Sequence, residues 1–163
     1  MHSASVLAAL SAGCLLTGCG GSTARAPSAF DSAAEREWIA NATQLVRTLD
    51  SDIGLSAAGG ANLATARRAL ASQSAVYTMV VAYSEFGDCA HELGNAGNPA
   101  SRDEKAADEI AGACTRLEQA SGLFERATSH HDAEALLHAT REALDTEPLV
   151  VAAETALAAL RPA

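Results

Sequence analysis

From Ser28 onward, apolar side chains return every three or four residues: Phe30, Ala34, Trp38, Ala42, Leu45, Leu49 and Ile53. That interval matches the turn of an α-helix and draws one stripe along its length. Ser28 with Asp31 makes a capping start, and Gly54 a stop. Beyond the small-residue turn Ser56–Ala61, Asn62 caps a second helix carrying Leu63, Ala66, Leu70, Tyr77, Val80 and Val81. From Ala75 to Phe86 this helix is apolar nearly all round, which predicts the most buried segment of the chain. Gly94–Ala100 is the clearest loop, and Ser101-x-x-Glu104 reads as a capping box opening a third helix. The third stripe is Ala106, Ile110, Ala113, Leu117, Ala120, Phe124 and Ala127. Ser129–Asp132 forms the last turn. A fourth helix then runs through Leu136, Leu137, Ala143, Leu144, Val150, Val151, Leu157 and Leu160. Pro148 lacks an amide hydrogen and predicts a kink or split near Glu147.

Four stripes of similar length joined by short loops predict an all-α domain, an up-down-up-down four-helix bundle. Two long hairpins that mate only as a dimer satisfy the same pattern. Aromatic residues make up only 4% of the chain, so the core is alanine-rich. Helices can approach closely, but each buried side chain contributes modestly.

The first residues follow another rule. Val6–Leu16 is almost wholly apolar or small, yet eleven residues fall short of the roughly 20 that span a bilayer as a helix. The length suits the apolar region of a secretory signal peptide. Leu16-Thr17-Gly18-Cys19 follows it and resembles the lipobox of bacterial lipoproteins. The resemblance implies cleavage after Gly18 and a diacylglycerol thioether on Cys19. It divides the chain into a signal peptide (1–18), a lipidated cysteine with a flexible tether (19–27) and a helical domain (28–163). A palmitate-type anchor would hold the domain to a bacterial membrane on its extracytoplasmic side, since more than one acyl chain gives stable anchoring.

Charge then limits the partners. The formal net charge is −9, and no charged residue precedes Cys19. An acidic surface disfavours nucleic acid and is repelled by anionic headgroups, so the lipid rather than a basic patch must supply membrane contact. The lipobox and short tether point to an envelope protein as a partner, with no nucleic acid.

With Cys14 removed and Cys19 acylated, Cys89 and Cys114 are the thiols left in an oxidising compartment, where a disulfide is the default. An unbroken second helix folding back at Gly94–Ala100 would set residue 89 opposite about residue 106. The remaining eight residues to Cys114 amount to about 12 Å, too far for the bond. The pairing therefore predicts that helix two ends at Phe86, with Gly87 as a left-handed cap and Asp88 starting a separate turn.

Little in the sequence carries chemistry. His130-His131-Asp132-Ala-Glu134 with His138 is the densest group of potential ligands. Glu134 and His138 lie one helical turn apart, which makes His131, Glu134 and His138 weak metal candidates. The alternative is a solvated helix start, with Asp132 capping. No Glu-x-x-His pair, haem-attachment motif, phosphate loop or nucleophile elbow occurs. Cys89-Ala-His91 suggests a nucleophile only if Cys89 is free. The pairs Asp103-Glu104 and Asp108-Glu109 read as a solvated face beside a helix N-terminus. Trp38, Tyr77, Tyr83 and Phe86 read as core packing before they read as a pocket. The sequence thus predicts a non-enzymatic binding or assembly module with no cofactor. The alternative is a small-ligand or metal carrier using the bundle interior or the His130–His138 region.

Overall fold

The computed structural model describes residues 33–160; the segments expected from sequence to be a signal peptide (1–18), a lipidated Cys19 with a tether (19–27) and a Ser28–Asp31 cap lie outside the described residues. The helices are α1 (Ala33–Ser56), α2 (Leu63–Ala71), α3 (Gln73–Asn95), α4 (Glu104–His130), α5 (Ala133–Leu144) and α6 (Glu147–Ala159), with a short 3-10 turn at Ala57–Gly59. The described residues form no strand. The fold is an all-α helical bundle. Four rods, α1, α3, α4 and the α5–α6 pair, each pack against the next in a closed ring, while α2 lies against α5 and α3.

Directions follow from the neighbours. Asn41 and Gln44 of α1 share a groove with Glu92 and Asn95 of α3, whereas Asp52 faces Glu85, so these helices are antiparallel. Ser121 of α4 donates a hydrogen bond to the Tyr83 carbonyl (2.7 Å), and Cys114 bonds Cys89 six residues further along α3. Those helices are antiparallel too. Gly59, just past the end of α1, touches Leu136 and Thr140 of α5, while Val46, midway along α1, lines a cleft with Leu157 of α6. The rods thus alternate in direction, and one chain closes its own core.

Each helix end has a local cause. Gly54 lies inside α1 and does not stop it; the chain turns at Gly60, whose φ of +90° is open to glycine but strained for other residues. Asn62 then closes a reciprocal cap: its side chain accepts from the Thr65 amide (3.0 Å) while its own amide donates to the Thr65 hydroxyl (3.1 Å). The second stripe is divided at Ser72, which is extended (φ −100°, ψ 110°) and turns its hydroxyl to the Ala75 amide. Serine side chains compete with helical hydrogen bonding, and this one ends α2 and opens α3. Asp132 accepts from the amides of Glu134 and Ala135 (both 3.0 Å), after His131 has reversed the chain in a left-handed conformation. Pro148 stands in the first turn of α6, where its missing amide costs nothing.

Two expectations about α3 and α4 also fail. Ser101 does not cap α4; Asp103 is the residue before its first turn, and its side chain makes no capping bond. The chain here is held instead by tertiary contacts, as Arg102 pairs with Glu35 of α1. Nor does α3 end at Phe86: it runs unbroken through Gly87 to Asn95, with Cys89 and Cys114 joined at a Cα separation of 5.2 Å. The expectation assumed a symmetrical hairpin. Instead α3 continues six residues past Cys89, whereas α4 begins ten residues before Cys114. At 1.5 Å per residue α4 therefore overshoots the end of α3 by about 6 Å. The connector 96–103 is long enough to climb that distance before α4 turns back.

The core seam lies between α3 and α4. Tyr83 stacks on Phe124 (centroids 4.3 Å, planes 6° apart) and meets Phe86 edge-on (5.2 Å). Such ring pairs contribute about 0.5–1.5 kcal/mol beyond the area they bury. All seven positions of the third stripe are buried. The Ala75–Phe86 segment is not the most buried of the chain, contrary to what its apolar composition predicts; α5 buries more of its residues. Met79, Ala82, Tyr83 and Phe86 are buried, but Tyr77 is 73% exposed, and Val80 and Val81 also face outward. A rod in a four-membered ring is covered only on its inner side, whatever its outer side carries.

Two substitutions test this packing. A Cβ on Gly59 would sit 2.0 Å from the Thr140 hydroxyl, deep in the core, whereas Gly54 has no heavy atom within 4 Å of that position. Gly59→Ala should lower unfolding free energy by about 1–3 kcal/mol, and Gly54→Ala should raise it by about 0.5–1 kcal/mol, both read from urea denaturation. Cys89 and Cys114 are 25 residues apart. Replacing both with alanine should cost about 3–4 kcal/mol in the same assay, with no change in helical circular dichroism under native conditions.

Candidate functional site

The residues singled out by sequence do not converge. His131, Glu134 and His138 are all exposed around the α4–α5 turn, and among the described residues no three His, Cys, Asp or Glu side chains gather in a metal-binding group. His91 is exposed on α3, and the disulfide occupies the thiol of Cys89, so no Cys–His nucleophile exists there. Trp38, Tyr83 and Phe86 belong to the core; Tyr77 alone of the four lies outside it. Cys19 lies outside the described residues.

The bundle instead sets acidic side chains where sequence reasoning did not place them. Asp103, expected on a solvated face, is fully buried, while its neighbour Glu104 is exposed. Neither oxygen of Asp103 closes a hydrogen bond of ordinary geometry. Burial and the nearby Glu35 carboxylate push its pKa up, against the pull of Arg102 and the Ala100 amide. The Arg102 Nε lies 3.6 Å from the Asp103 carboxyl and also bonds Glu35, so one guanidinium serves two acids. This cluster ties the start of α4 to the start of α1.

Asp52 is buried apart from the Glu35–Asp103 cluster. It is 6% exposed, and its Oδ2 is sealed from solvent without a hydrogen bond. Burial, reinforced by repulsion from Glu85 across the α1–α3 seam, pushes its pKa up to about 6. Beside it the same two helices diverge into a groove of about 350 Å³ lined by Asn41, Gln44, Thr48, Glu85, Glu92 and Asn95, among others. Among the described residues, no lysine or arginine lines it. The groove presents amide, hydroxyl and carboxylate groups, and the carboxylates of Glu85 and Glu92 give it one sign of charge.

A third polar group lies inside the bundle. The Tyr83 hydroxyl is sealed in the core toward Ser56 and Thr140, near enough to feel both hydroxyls but without a bond of ordinary geometry to either. Burial pushes its pKa up to about 12, the two hydroxyls drawing it partly back. Tyr83 stays neutral across the physiological range. Paired with the close approach of Gly59 to Thr140, this arrangement reads as packing rather than a reactive centre.

The sequence held a signal for the buried acids. Asp52 falls three residues after Leu49 and seven after Leu45, on the first stripe itself. Asp103 stands three before Ala106 and seven before Ile110, and Glu35 three before Trp38. An acid at a stripe position is an acid aimed inward.

Asp52 makes stability depend on pH with a definite sign. An acid whose pKa is raised in the folded state holds its proton more tightly there than in the unfolded chain. Its contribution is therefore full below about pH 4 and is lost as pH rises through about 6. Asp52→Asn should raise the unfolding free energy at pH 7.5 by on the order of 1–2 kcal/mol and leave it nearly unchanged at pH 4. Urea denaturation of both proteins at the two pH values checks this, because the other acids are common to both.

Compared with protein-family models, curated proteins and solved structures, the chain matches none.

Proposed function

We propose that the chain is an exported lipoprotein whose helical domain, held to a bacterial membrane by acylated Cys19, serves as a non-enzymatic binding or assembly module at the extracytoplasmic face. The anchor rests on the apolar run Val6–Leu16 ending at Leu16-Thr17-Gly18-Cys19. Among the described residues, no helix is long and apolar enough to cross a membrane. From Cys19 to the start of α1 at Ala33 the chain reaches at most about 50 Å when extended, so the domain would work close to the lipid surface.

The observation that carries the binding role is the outer face of α3. The core is closed by a disulfide and by stacked aromatic rings, yet Tyr77, Val80 and Val81 stand together in solvent on one helix. Scattered surface apolar residues need no explanation, but three within five residues form a local patch of the kind partners cover. Their exposure adds nothing to the bundle's own stability.

Replacing Cys19 with serine tests the anchor. The variant should remain unprocessed, fail to incorporate labelled palmitate and leave the detergent phase on Triton X-114 partitioning. Unchanged partitioning would refute it. Loss of the anchor with the helical content intact is the expected result, since Cys19 precedes the domain.

A further inference from the structure

The α1–α3 groove and the exposed patch of α3 form one strip. The antiparallel register that sets Asp52 against Glu85 continues, three residues on along α1 and four back along α3, to Leu55 and Val81. Leu55 is 38% exposed and Val81 45%, with Tyr77 one turn beyond Val81. Toward the start of α1 the strip carries Thr48, Gln44 and the carboxylates of Glu85 and Glu92, beside the apolar side chains of Leu45 and Ala96. From Asn41 to Leu55 it runs about 21 Å, which matches about four turns of a helix. A trough between two antiparallel helices is the shape a third helix fills.

We propose that this strip is the docking site of a basic amphipathic helix carried by a protein partner, its apolar side chains seated on Leu55, Val81 and Tyr77 and its Lys or Arg side chains over Glu85 and Glu92. The proposal rests on the binding-module reading and names its surface and partner chemistry. Charge complementarity selects the occupant. The groove has the carboxylates of Glu85 and Glu92 and no basic lining among the described residues. A second copy of this chain, with a net charge of −9, would bring like charge against it. An anionic lipid surface would be repelled for the same reason. A basic helix gains on both counts: its apolar residues cover the patch, and its cations meet the acidic end. The acidic side chains extend toward the start of α1 and the exposed apolar ones toward its end, and this gradient also fixes the direction in which the helix docks.

Site-specific photocrosslinking in intact cells tests the proposal, with a photoreactive residue in place of Val81, of Gln44, or of exposed Arg116 on α4 as a control position. Mass spectrometry identifies the captured peptide. The Val81 and Gln44 probes should capture one helical segment of the same partner, with its Lys or Arg residues nearest Gln44 and its apolar residues nearest Val81. The double variant Glu85→Lys/Glu92→Lys should reduce capture at both positions at least tenfold, while its helical circular dichroism stays that of the parent and its thermal melt is no lower, since the charge reversal relieves the repulsion between Glu85 and Asp52. Both glutamates are exposed, so folding should be unaffected. Capture of a second copy, of lipid alone, or of an acidic segment would overturn the proposal, as would insensitivity to the charge reversal. Capture at Arg116 but not at Val81 or Gln44 would also overturn it while leaving the binding-module reading standing. Absence of any protein capture at all three positions would count against both.

Discussion

The covalent tie between Cys89 and Cys114 sets the register of α3 against α4, and the rest of the bundle is arranged around that seam. With those Cα atoms 5.2 Å apart, Tyr83 falls beside Phe124, and Ser121 falls where its hydroxyl reaches the Tyr83 carbonyl. Slide the helices by one turn and the ring stack, the hydrogen bond and the disulfide are lost together. An alanine-rich core needs such a constraint. Small side chains permit many near-equivalent helix registers, each burying similar area, so area alone selects none of them. The disulfide and the stacked rings supply the selection.

Fixing the inner seam also determines what the outside must carry. Because α3 is covered by α1 on one flank and α4 on the other, its outer ridge remains in solvent. There it displays Tyr77, Val80 and Val81 beside a groove of one charge sign. Asp52 sits where the two regions meet, protonated more readily than an exposed acid because burial and Glu85 both oppose its charge. At the other end of the molecule, Arg102 holds two acids where one would suffice for a simple ion pair. A buried carboxyl oxygen without a hydrogen bond costs stability in both places. At the α1–α3 seam it lies beside the groove lined by Glu85 and Glu92; at the α4 start it lies at the junction where the helix begins.

The third helix was legible because each stripe position from Ala106 to Ala127 faces the centre of the ring, so period and burial coincide. The break before α6 was legible from Pro148 alone, and the cap of α2 from Asn62, since both effects are local. The α3 segment was not. An all-round apolar helix satisfies two arrangements, full burial or one face left in solvent, and hydrophobicity does not separate them. The hairpin register was also illegible, because it depends on how far the connector 96–103 climbs before α4 starts, a tertiary quantity set partly by the Arg102–Glu35 contact. The helix break expected at Gly87 came from assuming a symmetrical turn; glycine permits a cap but does not require one. Asp52 and Asp103 were recoverable from their places on the stripes, had position been weighed above charge.

Amide hydrogen exchange across residues 84–92, followed by NMR with the disulfide intact, tests the continuous α3 and its register most directly. The account predicts that the amides of Gly87, Asp88 and Cys89 exchange as slowly as those of Ala82 and Phe86, with helical Cα shifts throughout. Rapid exchange confined to Gly87–Cys89, with non-helical shifts there, would mean that the helix breaks at Gly87, and the groove and patch described here would no longer form one strip.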